Sequence, residues 1–290
     1  MAGQKKVLGT YGAGSNHWVG DGFPVRNLFP SNGLEAEVNP FLMLDYAGPT
    51  LFKPSGKTPG VGQHPHRGFE TVTIAYQGSV AHRDSAGNSG VIYPGDVQWM
   101  TAASGVVHEE MHEPEFARKG GVFEMVQLWV NLPRAHKMSK PGYQAITKEQ
   151  IPVVAFPSGG YARVIAGELN GTRGPARTFT AINVFDVILK VGERVEIALP
   201  EGHQAAVVLR KGDVSLNGAG SLTGEARIAT LSASGAGVAI EAKEDSTLLV
   251  LSGEPINEPV ASYGPFVMNT REELVQAMED YKAGKMGRLQ

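Results

Sequence analysis

The chain has 290 residues, 42% hydrophobic and 19% charged, with 26 Lys+Arg against 29 Asp+Glu for a net charge of −3. That composition supports one large or two ordinary globular domains, and the near-neutral balance excludes a protein built chiefly to grip nucleic acid or anionic lipid. The absence of cysteine excludes disulfides, thiolate zinc sites, iron–sulfur clusters and a cysteine nucleophile, so any metal must sit on nitrogen and oxygen.

The first residues, "MAGQKKVLGTYGAG", carry two lysines but no apolar core of signal-peptide length, and no run approaches the ~18 apolar residues of a membrane span. A cytoplasmic protein with no membrane association is expected. Short alternating runs follow: "ETVTIAYQG", "SGVIYPGDVQWM", "VFEMVQLWVNLP" and "YARVIAGEL". From Ile182 the habit resumes with "INVFDVILKVG", "ERVEIALPEG", "HQAAVVLRKGDVSLNG", "ARIATLSA" and "GVAIEAKEDSTLLVLSG". Each run ends in Gly, Pro or a charged turn, which predicts an all-β sandwich or barrel. Both halves contain a strand pair that reads as joined by a glycine turn, "YPGDVQW" and "RKGDVSLNG". The polar, proline-bearing stretch at 135–155 interrupts the pattern and predicts two domains, 1–140 and 141–290. Near the C-terminus "NTREELVQAMEDYKAG" predicts a helix. Thr270 and Glu273 form a capping box, Leu274, Val275, Met278 and Tyr281 a packing stripe, and Gly284 the stop.

The chemistry concentrates in "HPHRGFETVT" and "GVVHEE". A strand projects residues i and i+2 to one face, so His64 and His66 point together, as do His108 and Glu110. Neighbouring strands would gather three imidazoles and a carboxylate, a set suited to Fe(II), Mn(II), Ni(II), Cu(II) or Zn(II) and too rich in nitrogen for Mg or Ca. Glu109 falls on the opposite face. His112 continues the same period and is a decoy or a reserve ligand, Glu70 shares parity with His66 and could orient an imidazole, and His82 is an outer partner or a plain hydrogen-bonding group. His17, His136 and His203 have no partner in the pattern and read as structural or surface residues. Phe69, Trp99 and Met100 are either pocket lining or ordinary barrel core.

"HPHRGFETVT", "DSAGNSG", "PGDVQWMTAASGVVHEE", "VQLWVNLP" and "EPINEPVASYGPFVMNTREEL" closely resemble the pirin family, from "NPFLMLDYAGP" to the last helix. The resemblance implies a bicupin: two antiparallel, jelly-roll-like β-barrels packed together with a short C-terminal helix. One metal would sit in the N-terminal cupin and none in the C-terminal one, where only His203 is present. It maps the ligands onto His64, His66, His108 and Glu110. The ion it implies is one divalent transition metal, Fe2+ first, with Ni, Mn, Cu, Co or Zn as alternatives. One departure is "TAASG", with Ala103 and Ser104 where the family commonly has a glycine pair. Two functions follow. One is a quercetin 2,3-dioxygenase-type oxygenase acting on a flavonol with O2, with Glu110 as ligand and general base. The other is a regulator acting through protein partners, with the metal as a redox sensor. A zinc or nickel hydrolase or isomerase is a third reading, and fold does not decide among them.

Overall fold

The computed structural model describes residues 3–30 and 32–289. The chain divides into two compact units, one built from Asn16–Arg26, Met43–Lys148 and Ile256–Gln290, the other from Met1–Ser15, Asn27–Leu42 and Glu149–Pro255. The expected mostly-β, two-cupin architecture holds, with one short C-terminal helix.

The first unit carries the histidine motifs. One sheet runs Gly142–Ile146, Val97–Thr101, Phe69–Gln77, Gly121–Asn131, Phe41–Phe52, Phe23–Phe29, Asn16–Val19. A second runs Gly60–His66, Val106–His112, Val80–Asp84, Ser89–Ile92. "ETVTIAYQ" becomes a strand because its β-branched and aromatic residues fit a pleated surface buried on both faces. "YPGD" is the turn its residues demand. Pro94 presets φ, Gly95 takes φ +95, and the Asp96 N–H donates to Tyr93 O at 2.8 Å.

In the other unit a nine-stranded sheet encloses the apolar cluster of Phe185, Val187, Leu209, Leu231 and Val250. Here the sequence misleads. "RKGDVSL" is not a turn but the second part of one 13-residue strand, Gln204–Leu216, whose register slips between Leu209 and Lys211. Gly212, at φ +127, lets the strand bend past Ser246, whose side chain fills the space a Cβ would need.

The C-terminal helix spans Arg271–Lys282 with its capping box formed by Thr270 and Glu273 as expected. Its buried face differs from the apolar stripe. Leu274, Ala277 and Asp280 are buried, while Val275 and Tyr281 are exposed. Asp280 turns inward because Arg67 waits there, 2.8 Å away. No helix among the described residues is long and apolar enough to cross a membrane.

Candidate metal centre

His64 and His108 are directly opposed on adjacent antiparallel strands. The register then slips, so that Glu110 faces Val61 and the Gly60–His66 strand carries one extra residue. This bulge bends the strand beside the cluster, a common device for aiming side chains. The ligand-type nitrogens of His64, His66 and His108 all lie within 4.8 Å of one another. His66 is 4% exposed and His108 fully buried.

The tautomers follow from the neighbours. His64 Nδ1–H donates to Gly62 O at 2.8 Å, and His66 Nδ1 lies 3.4 Å from Pro265 O. Both leave Nε2 as a lone pair facing the cluster, the orientation that carbonyl partners impose on metal-binding histidines. His108 Nε2 lies 2.8 Å from His64 Nε2, and His108 Nδ1 has no hydrogen-bond partner among the described residues. Two ligands at right angles on one ion, each ~2.1 Å from it, sit about 3 Å apart, so the donor set fits a divalent transition ion. Burial, then the neighbouring His64, drives the His66 imidazole down from 6.5 to about 3. Burial likewise holds His108 well below the usual range, with His66, His64 and His82 adding to it. Neutral imidazole is the form a metal requires.

Glu110 stands outside the three-histidine cluster but lines the same cavity of about 300 Å³. Its Oε1 lies 3.1 Å from Thr73 Oγ1, which is also 2.8 Å from Gln127 Oε1. The cavity wall is apolar, with Val19, Phe23, Val25, Val61 and Met125 beside Trp129. Trp129 is half-buried, with ring centroids 4.3 Å from Phe69 and 5.3 Å from His66.

The sequence left Phe69, Trp99 and Met100 open between pocket lining and ordinary barrel core, and the structure places them in the core. All three are fully buried and none lines the cavity, although Phe69 supports His66 from behind at 5.1 Å. The residues missed, Met125, Gln127 and Trp129, share one parity on the Gly121–Asn131 strand. That alternation was the available signal.

Of the other histidines, His112 donates Nε2–H to Gly22 O at 2.9 Å and packs in a cage of Phe23, Phe52, Phe116 and Phe123. His82 lies 5.3 Å from His108, stacks on Tyr143 and contacts Asp84 at 3.4 Å. Glu109 points away and accepts from Arg83 at 2.6 Å. Among the described residues Glu70 bonds no imidazole. It accepts from Thr101 at 2.6 Å, and burial pushes its carboxyl up to about 7. His17 and His136 are exposed, and His203 lies in the other unit near the Ser252 hydroxyl. At "TAASG", Ala103 adopts φ +42 where a glycine would be at ease, a local cost of roughly 1–2 kcal/mol.

Two antiparallel β-units, one holding clustered imidazoles over an apolar cavity, define a bicupin with a candidate mononuclear metal centre. The pirin family model matches residues 22–130 and the model of the pirin C-terminal cupin domain matches 184–287; the chain belongs to the pirin family. It is 53% identical to a Pseudomonas aeruginosa protein provisionally named a quercetin 2,3-dioxygenase, over 97% of this chain and 98% of that one. It is 40% identical to a pirin-like protein of Caulobacter vibrioides, over 91% and 94%. The crystal structure of a quercetin 2,3-dioxygenase from Acinetobacter baumannii superposes with a TM-score of 0.96 at 51% identity, covering 99% of this chain and all of that one.

Proposed function

We propose that this protein is a metal-dependent dioxygenase of the quercetin 2,3-dioxygenase type. His64, His66, His108 and Glu110 hold one Fe(II), and a flavonol and O2 are the substrates. The carrying observation is the convergence of three imidazoles, of which His64 and His66 line an apolar cavity sized for a small aromatic molecule. The named relatives above support the choice of flavonol. In this reading the N-terminal domain, 1–140, binds the metal and the C-terminal domain, 141–290, does not.

When bound, the ion supplies Lewis acidity toward a phenolic oxygen and redox chemistry with O2. The chain's own groups do the rest. Trp129 and Met125 hold a flat ring system against the apolar wall and exclude water. The Glu110 carboxylate accepts the proton of the flavonol hydroxyl at one oxygen, while the Thr73 hydroxyl steadies the other. Buried Glu70 is off the cavity and takes no part.

The test is quercetin turnover per bound metal, with and without O2, in wild type, Glu110→Gln and Glu70→Gln. The expected result is oxygen-dependent turnover that falls ~10²–10⁴-fold in metal-loaded Glu110→Gln and survives in Glu70→Gln. Metal-loaded wild type that leaves quercetin intact in air would reject the reading.

A further inference from the structure

We propose that residues 265–286 are a working part of the metal centre, with Asp280 and Ser85 as positioning residues that hold His66 and His108 in register; this rests on the metal-site reading above. His66 ends its strand, and a strand end frays unless something ties it. The tie is the next residue, Arg67. Its N–H donates to Pro265 O at 3.3 Å, its carbonyl accepts from Val267 N at 3.0 Å, and it forms a parallel bridge with Phe266.

Its guanidinium is committed as well. Nε donates to Ser104 O at 2.7 Å and Nη1 to Asp280 Oδ2 at 2.8 Å, with the two side chains only 5% and 11% exposed. The other Asp280 oxygen accepts from Gln276 and Lys285, each at 2.9 Å. Removing one partner of so enclosed a pair leaves a buried charge uncompensated and frees Arg67 to move. Lys137 reinforces the joint, its ammonium donating to both Gly68 O and Val267 O.

The same segment reaches the second ligand strand. Val107, beside His108, packs against Phe266, Leu274 and Met286. Its N–H donates to Ser85 Oγ at 3.0 Å, and the Ser85 hydroxyl donates to Met286 O at 2.6 Å. One C-terminal segment thus backs the neighbours of two candidate ligands, and Pro265 O faces the His66 ring itself. The match to the C-terminal cupin model runs to residue 287, so sequence alone assigns this segment to the half without the cluster.

Co(II) binding to the full chain tests this, read as affinity by chelator competition and as the visible d–d spectrum of the bound ion. Asp280→Asn and Ser85→Ala should each weaken binding by up to ~10-fold, less than the loss of a direct partner of a ligand would, and shift the spectrum. Val250→Ala, in the core of the other unit, should lower Tm and leave both readouts alone. If Asp280→Asn fails to fold, Ser85→Ala decides. Wild type that takes up no Co(II) overturns the site reading and this inference together. Wild type that binds while both variants match its affinity and spectrum overturns the inference alone.

Discussion

Replacing Glu70 with Gln should make the metal-free protein more stable at pH 8 and leave it nearly unchanged at pH 4.5. Glu70 is 1% exposed, and its carboxyl accepts from Thr101 at 2.6 Å. An amide oxygen can accept that hydrogen bond, so the substitution removes the charge and keeps the contact. Burial raises the folded-state pKa from 4.5 to about 7. A raised pKa means the folded state binds the proton more tightly than the unfolded chain does. That stabilisation is fully present below 4.5 and is lost as pH rises through 7. Ionising Glu70 in place therefore costs about 3 kcal/mol at pH 8, at ~1.4 kcal/mol for each tenfold change in proton affinity, and less than ~0.5 kcal/mol at pH 4.5. For a chain of this size that is a rise in Tm of roughly 5 °C or more. Thermal unfolding of wild type and Glu70→Gln in the presence of chelator, at both pH values, measures it. A gain equal at the two pH values, or a loss at pH 8, would refute the desolvation argument.

Three further outcomes are expected. His112→Ala should keep its metal, because the ring bonds Gly22 and sits in an aromatic cage, yet lose roughly 2–4 kcal/mol of stability in urea unfolding. Trp129→Ala should raise KM for a flavonol about tenfold with metal content unchanged, since the ring lines the cavity and bonds nothing in the cluster; an unaltered KM would remove Trp129 from the substrate site. The metal-free protein should lose stability between pH 7 and 5. The His66 pKa is depressed to about 3, so the unfolded chain binds the proton first, at a cost of about 2 kcal/mol at pH 5. This is measured by urea unfolding in the Glu70→Gln background, because Glu70 titrates in the opposite sense over the same interval; equal stability at the two pH values would contradict it.

The three-histidine cluster was legible because a strand has a period of two and "HPH" opposes His108 across one strand pair, whereas Glu110, beyond the register slip, stands outside the cluster. The all-β class was legible from the same alternation, and the capping box from four residues of local chemistry. What the pattern could not carry was partnership at long range. Asp280 reads as a solvent-facing residue of an amphipathic helix and is buried only because Arg67, 213 positions away, supplies its counter-charge. Trp129 and Trp99 both sit in alternating strands. Which one meets the cavity depends on the face each strand turns inward, and that is set by pairing, not by composition. "RKGD" has the residues of a turn but continues as a strand, because Ser246 packs into the space Gly212 leaves.

The most direct test of the central claim is metal content per chain, by elemental analysis of wild type and His108→Ala purified identically and reloaded anaerobically with Fe(II). The account predicts one iron per wild-type chain and a small fraction of that in His108→Ala. Two tight sites per wild-type chain, or full loading of His108→Ala, would contradict it.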